Sequence, residues 1–276
     1  MTFYTSLSGL KGAQTDMSVI SNNIANSGST GFKRSSAHFG DIFVQSPTQA
    51  TRTVAGSGQK LDGIVQQFSQ GNVEESANTL HMAIAGEGMF VVKGEPPRSD
   101  VSYTRNGTFQ ANNDRQVVDL TGAKLQLLPV DANGNVTNST LAGTFDCVLP
   151  VAAPSDPDSA LVGVSIGLDG LVTATFANGE HQALGKVAMA TFPATEGLRP
   201  VGSAHWQSTG DSGPPTIGSA SAGPMGAIKS NALERSNVDI TEELVLLIAA
   251  QRNFQANAKA IEGASTLTQT VMNIRT

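Results

Sequence analysis

Residues 237–276 contain no proline and repeat apolar side chains at spacings of three and four, which commits them to one long helix. Val238-Asp239-Ile240-Thr241-Glu242-Glu243-Leu244 reads as its start. Asp239 offers a side-chain acceptor to free N–H groups, and Glu242 three residues on fits the reciprocal partner of a capping box. Two acids in the first turn suit the positive end of the helix dipole, and Arg275 suits the negative end. One line along the helix runs Leu244, Leu247, Gln251, Phe254, Ala258, Ile261, Ser265, Thr268 and Met272. That is a heptad-like seam, apolar at first and softer later. At about 1.5 Å per residue the helix spans roughly 50 Å.

A helix this long with a narrow apolar stripe needs a partner, and the other end of the chain offers one. Phe3, Leu7, Leu10, Gln14, Met17, Ser21 and Ile24 repeat the same spacing, again with polar interruptions. Two readings stand at this point: two amphipathic helices lying on a globular core, or a coiled coil made by the two termini of one chain. Helices outside a packed context are marginal in water. Ordered termini of this kind therefore call for contacts from neighbouring copies, which points towards a polymer. The first helix should stop near Asn26, with Gly28 as a left-handed cap. Asn22, Asn23 and Asn26 crowd its last turn although Asn is a poor helix former. They are either a fraying end or amides that bond to neighbouring helices.

Between the termini the pattern changes. Ser46 to Lys60 is polar, with Pro47 and two glycines, and reads as an arm, with a possible strand at Ile64-Val65-Gln66-Gln67-Phe68. From Leu80 onward the chain turns to β structure. Met89-Phe90-Val91-Val92 reads as a strand, and Asn106-Gly107 as a hairpin turn between two short strands. The clearest signal is a three-stranded meander: 164–168, Asp169-Gly170, 171–176, Asn178-Gly179, then 183–192. The expected fold is therefore α+β, with N- and C-terminal helices paired as a coiled coil and an inserted, mainly antiparallel β domain. The expected boundaries are 1–30 for the first helix, 31–72 for an extended arm, 73–232 for the β domain and 233–276 for the last helix.

Composition and motifs exclude several kinds of chemistry. The formal net charge is -6 and only 14% of residues are charged, with no run of Lys or Arg, so no nucleic-acid face is expected. No apolar run has the length of a membrane span, so membrane insertion is not expected either. The start reads as amphipathic rather than as a signal peptide, and on residues alone the expectation is a cytoplasmic protein. Cys147, the single cysteine, sits beside Val148 and Leu149 and reads as a small buried hydrophobe. His38, His81, His181 and His205 lack metal-ligand spacing. Asp131-Ala132-Asn133-Gly134-Asn135 starts like a calcium loop, but Val136 replaces the required glycine and Ala142 the closing glutamate. Gly86-Glu87-Gly88 lacks the third glycine and the helix of a dinucleotide loop. No catalytic, cofactor or metal residues are assigned, and no enzyme is expected. A glycan-binding β domain would need clustered aromatics, and Trp206 is the only tryptophan.

Several stretches, in order along the chain, resemble the bacterial flagellar rod and hook proteins. They are Ser8-Gly9-Leu10, Ile20-Ser21-Asn22-Asn23-Ile24-Ala25-Asn26 and Thr30-Gly31-Phe32-Lys33 near the start. Ala83-Ile84-Ala85-Gly86-Glu87-Gly88-Met89-Phe90 and Tyr103-Thr104-Arg105-Asn106-Gly107-Thr108-Phe109 follow. Asn231-Ala232-Leu233-Glu234-Arg235-Ser236-Asn237-Val238-Asp239 and Ala250-Gln251-Arg252-Asn253-Phe254 complete the set. The resemblance implies an axial structural protein whose terminal helices pair and line a tube. It implies export through the flagellar type III apparatus without a cleaved signal, and a place in the hook or basal body outside the cell. Val271-Met272-Asn273-Ile274-Arg275, 184–192 and Glu196-Gly197-Leu198 resemble the hook members most, with the distal rod members as the alternative. A hook subunit would form a flexible joint that passes motor torque to the filament. Its expected partners are further copies of itself, rod and hook–filament junction proteins, the hook cap and the export apparatus. The expected interface and core-helix residues are Leu7, Leu10, Met17, Asn22, Asn23, Ile24, Asn26, Leu244, Leu247, Gln251, Phe254 and Ile261.

Overall fold

The computed structural model describes residues 2–42, 56–95, 100–131 and 134–274. The chain divides into two units. The first comprises Met1–Ser27, Arg34–Gln67 and Val238–Thr276, and the second Gly28–Lys33 and Phe68–Asn237.

In the first unit, helix α1 (Thr2–Ala25) lies against helix α2 (Ile240–Ile274), and strands β1 (Ser35–Asp41) and β2 (Gln59–Gln66) form an antiparallel hairpin beside them. The helices run antiparallel: Asn23 meets Glu243 at one end, and Gly9 sits against Asn257 further along. A Cβ added at Gly9 would lie 2.6 Å from Asn257 Oδ1, so glycine permits the close approach. Asp239 caps α2, its Oδ1 accepting from Thr241 N at 2.8 Å and Glu242 N at 3.3 Å. Glu242, the sequence's reciprocal partner for the capping box, is engaged by Arg34 Nη1 at 3.0 Å.

Three expectations change here. The inward line of α2 runs Glu243, Leu247, Ala250, Phe254, Asn257, Ile261 and Ala264. It shares Leu247, Phe254 and Ile261 with the predicted seam, whose Ala258 is also half-buried, but Leu244, Gln251, Ser265, Thr268 and Met272 face outward. The arm expected over 31–72 is not extended throughout, because the β1–β2 hairpin folds onto the helices; residues 43–55 of that arm lie outside the described residues. The end of α1 is closed by Ser27 N donating to the Ile24 carbonyl at 3.2 Å, and the left-handed residue is Gly31 (φ 69°) rather than Gly28.

The second unit is antiparallel β structure. Its strands are β3 (Val73–Glu75), β4 (Met82–Ala85), β5 (Met89–Lys93), β6 (Val101–Thr104), β7 (Gln110–Ala111), β8 (Val117–Val118), β9 (Lys124–Leu128) and β10 (Phe145–Asp146). Then come β11 (Leu161–Ile166), β12 (Leu171–Phe176), β13 (His181–Val187), β14 (Met189–Thr191), β15 (Arg199–Gly202), β16 (His205–Gln207), β17 (Thr216–Gly218), β18 (Ala227–Ser230) and β19 (Ala232–Glu234). The main sheet runs β11-β12-β13-β9-β5-β6-β16-β15, while β18 pairs with β4 and β19 with β3. The meander forms as β11, β12 and β13, with Gly170 (φ 78°) and Gly179 (φ 83°) in its turns. The stretch 183–192 splits after Val187, and β14 pairs with β5 and β17 instead.

Strand alternation divides the core. Phe90 and Val92 of β5 join Met82, Leu125 and Leu127 on one face, where Phe90 and Phe109 meet edge to face at 5.5 Å. Met89 and Val91 turn to the other face, with Leu128, Tyr103 and Trp206. Cys147 lies in the first of these clusters, and burial pushes its thiol up to about 12, so it serves as a core hydrophobe. Asn106-Gly107 is not a hairpin turn. Strand β6 pairs with β5 and β16, and a Cβ on Gly107 would fall 1.6 Å from the Met82 carbonyl oxygen. Close backbone approach, not turn geometry, requires that glycine.

Candidate functional site: a helical pair and two buried ion clusters

The first unit has little core of its own. Among the described residues its buried apolar side chains are Ala13, Val19, Ile20 and Ala250. Among the described residues, eleven large apolar ones are exposed in the same unit: Phe3, Tyr4, Leu61, Ile64 and seven on α2. Ile240 (50% exposed), Leu244 (47%) and Ile248 (51%) recur every four residues, with Val245 (63%) beside them, so they form one strip along α2. Leu7, Leu10, Met17, Ile24, Leu247, Phe254 and Ile261 are half-buried.

A polar network holds this unit at the end of α1. Asn23 is buried; its Nδ2 donates to the Ser35 carbonyl at 2.8 Å and to Glu243 Oε2 at 3.2 Å, while Ser35 N donates to Asn23 Oδ1 at 2.9 Å. Arg34 Nε closes on Glu243 Oε1 at 2.6 Å. One amide thus joins α1, β1 and α2. Of the other two asparagines, Asn22 is exposed, and Asn26 Nδ2 donates back to the Asn22 carbonyl at 2.9 Å within its own helix end. Asn23 thus bonds to the neighbouring helix α2, while the Asn26 amide turns back on its own helix. Asp16 has its carboxyl raised by burial and then by the charge of Glu243.

The second unit holds a buried cluster that motif searching missed. Glu234 is fully buried at the end of β19. Its Oε1 accepts from Lys33 Nζ at 2.7 Å and Gly71 N at 2.9 Å, and its Oε2 from Arg105 Nη1 at 3.2 Å. Lys33 Nζ also donates to the Ser69 carbonyl at 2.7 Å, and Arg105 Nη2 to the Gly86 carbonyl at 2.9 Å. The Glu234 carbonyl takes Gly31 N at 2.8 Å. Three other segments of the chain, at Lys33, Gly71 and Arg105, meet on the Glu234 side chain. Gly31 is required there, since a Cβ would sit 2.6 Å from Asn106 N. Burial holds the Lys33 ammonium below its ordinary range, Arg105 adds to that, and Glu234 opposes it.

The residues of this cluster lie inside three stretches that carry the family resemblance: Lys33, Arg105 and Glu234. That was the available signal, although sequence alone does not show that they meet. Neither cluster presents a free nucleophile or an open ligand set, and no group of three metal-ligating side chains gathers among the described residues. These are ties between segments, not reaction centres.

Comparisons with known proteins agree with that reading. Residues 3–33 match the family profile described as Flagella basal body rod protein, 83–174 the Flagellar hook protein FlgE/F/G D1 domain, and 229–274 the Flagellar basal body rod FlgEFG protein C-terminal. The chain is 32% identical to the flagellar basal-body rod protein FlgG of Bacillus subtilis, over 99% of this chain and 98% of that one. It is 25% identical to the flagellar hook protein FlgE of Escherichia coli over the whole of both chains, in an alignment 411 residues long. A solved flagellar hook protein FlgE2 of Helicobacter pylori aligns over 53% of this chain and 38% of its own, at 14% identity and a TM-score of 0.25. The residue-only expectation of a cytoplasmic protein gives way to a flagellar one. The chain belongs to the flagellar rod and hook protein family, whose members are structural components of the flagellum and not enzymes.

Proposed function

We propose that this chain is a hook subunit, and that further copies of it cover the exposed apolar face of its helical unit to build a torque-bearing tube. The observation that carries this is the imbalance in the first unit, where among the described residues four apolar side chains, two of them alanines, are buried against eleven large ones exposed. Contiguous exposed apolar surface on a single chain marks association. A head-to-tail contact between identical subunits that does not close on itself generates a helical array. In this reading Leu7, Leu10, Met17, Ile24, Leu247, Phe254 and Ile261 hold the pair, and Leu244 faces a neighbour. Rod, junction and cap proteins and the export apparatus follow as partners of a hook subunit. The β units, low in charge, would slide past one another as the tube bends.

Two observations support the hook in particular: the resemblance of 184–192 and of Glu196-Gly197-Leu198 to hook members. A second reading, the distal rod, is favoured by the match to FlgG along nearly its full length without large insertions. Electron microscopy of basal bodies from a deletion strain separates the two. A hook subunit leaves a complete rod without a hook, whereas a rod subunit removes both.

A further inference from the structure

The helical unit holds a cavity of about 590 Å³, lined by α1, α2 and the β1–β2 hairpin. Gly9 and Gly12 line it on α1, and a Cβ added at Gly12 would fall 2.0 Å from Gln59 Nε2 on β2. The lining is rich in hydroxyls and amides, and it includes two carboxylates, Asp16 on α1 and Asp41 on β1, but no Lys or Arg. Among the described residues neither carboxylate has an ion-pair partner; Lys60, on the same hairpin, is taken by Asp62 at 3.1 Å. Asp16 is half-buried, and its carboxyl is already raised by burial and by Glu243, so a cation in the cavity would relieve it. Exposed apolar side chains flank the cavity on two sides. Phe3 and Tyr4 precede the lining residue Thr5, and Leu61 and Ile64 follow Gln59 along β2.

The complementary surface lies on the same unit. The outward strip of α2, Ile240, Leu244 and Ile248, reaches Arg252 at its next four-residue step, and Arg252 is also seven residues past Val245. Arg252 is exposed and has no acidic partner among the described residues. It sits about 140° round the helix from Asn257, which lines the cavity, so it is turned away from the cavity of its own chain. The next cation on that line, Lys259, lies about 10 Å further on, beyond the apolar strip.

We propose that Arg252 of one copy enters the cavity of the next and pairs with Asp16 and Asp41, while the apolar strip before it packs on the apolar flanks of that cavity. This rests on the reading that identical copies cover the helical unit, and it names which faces meet. Cation and cavity occupy different faces of one unit, so the contact is head-to-tail and leaves a free face at each end of a growing array. A planar guanidinium suits the role, since it can engage a carboxylate through two parallel N–H groups.

A charge exchange in the full chain tests this, read as the critical concentration for polymerisation by sedimentation. Arg252→Asp and Asp41→Arg both alter exposed positions, and circular dichroism should show both folded. Each alone sets like charges against each other at every contact and should raise the critical concentration at least about tenfold. The two together in one chain restore opposite charges and should bring it back to within about threefold of the native value. Singles that polymerise like the native chain would overturn the proposal, as would a double variant no better than either single. Val245→Glu with Ile248→Glu separates this from the broader reading. If that variant fails to assemble while Arg252→Asp assembles normally, the pairing is wrong but the copies still cover the strip; if both assemble normally, both ideas fall. Should either charge variant fail to fold, salt decides: raising it from about 0.05 to 0.5 M should lift the native critical concentration severalfold, and a native value indifferent to salt would overturn the pairing.

Discussion

Lys33 Nζ lies 2.7 Å from Glu234 Oε1, and 201 residues of chain separate the two. Glu234 answers two cations, Lys33 and Arg105, with no water-exposed surface of its own. Removing one member of such a cluster strands the rest. Glu234→Ala should destabilise the β unit by about 3–5 kcal/mol, the range for a broken buried ion pair. Urea unfolding followed by Trp206 fluorescence measures it. A loss within ~0.5 kcal/mol would mean that the cluster is not a tie.

Asn23 makes the corresponding tie in the helical unit. Asn23→Leu keeps the volume and removes both donor and acceptor, leaving Ser35 N and the Glu243 carboxylate short of partners. The expected cost is about 1–3 kcal/mol, the penalty for unsatisfied buried polar groups. Helical circular dichroism on heating should report earlier melting of α1 and α2, while Asn22→Leu, at an exposed position, should change little.

The outward strip of α2 separates assembly from folding. Val245→Glu with Ile248→Glu alters only exposed positions, so the stability of the isolated chain should move by no more than about 0.5 kcal/mol. Polymerisation should nonetheless fail in sedimentation. Leu247→Glu and Phe254→Glu differ in kind, because those side chains are half-buried against the chain's own first unit and both folding and assembly should suffer.

Asp119 gives an acid-side prediction. Burial raises its carboxyl, but the hydrogen bonds from His205, Thr121 and Ala123 N outweigh that and hold it below the usual range. A lowered carboxylate contributes stability that is complete above the ordinary value of about 3.9 and is lost as pH falls through its folded value. Unfolding free energy should therefore drop below pH 4 in the native chain. In Asp119→Asn it should start roughly 1–3 kcal/mol lower at pH 6 and decline less steeply.

Asp16 works in the opposite sense. Its carboxyl is raised, first by burial and then by Glu243, so ionising it costs folded-state stability as pH rises. Asp16→Asn should stabilise the helical unit at pH 7 by less than about 1 kcal/mol, because the group remains partly solvated. Thermal melts at pH 3 should show no such gain.

The pairing of the two termini was legible because spacing of three and four without proline leaves a chain few choices. The register of the seam was legible only in part. Leu244 is apolar and in phase, yet it faces outward, while Glu243 and Asn257 face inward; α2 carries apolar residues on more than one face, and periodicity cannot tell which belongs to a neighbour. The meander was readable from Asp169-Gly170 and Asn178-Gly179, where turn chemistry is local. Asn106-Gly107 misled for the same reason in reverse, since its glycine answers to the Met82 backbone on another strand. The Lys33–Arg105–Glu234 cluster could not be derived from pattern, because charged residues read as surface until the fold buries them.

The central claim is that the helical unit depends on identical neighbours to complete its core. Hydrogen exchange of α1 and α2, measured in the isolated chain and again in assembled tubes, tests it most directly. The account predicts weak protection of both helices in isolation, with the strands β5 and β9 strongly protected, and a rise of orders of magnitude for the helices on assembly. Helices as well protected in the free chain as β5 and β9 would contradict it.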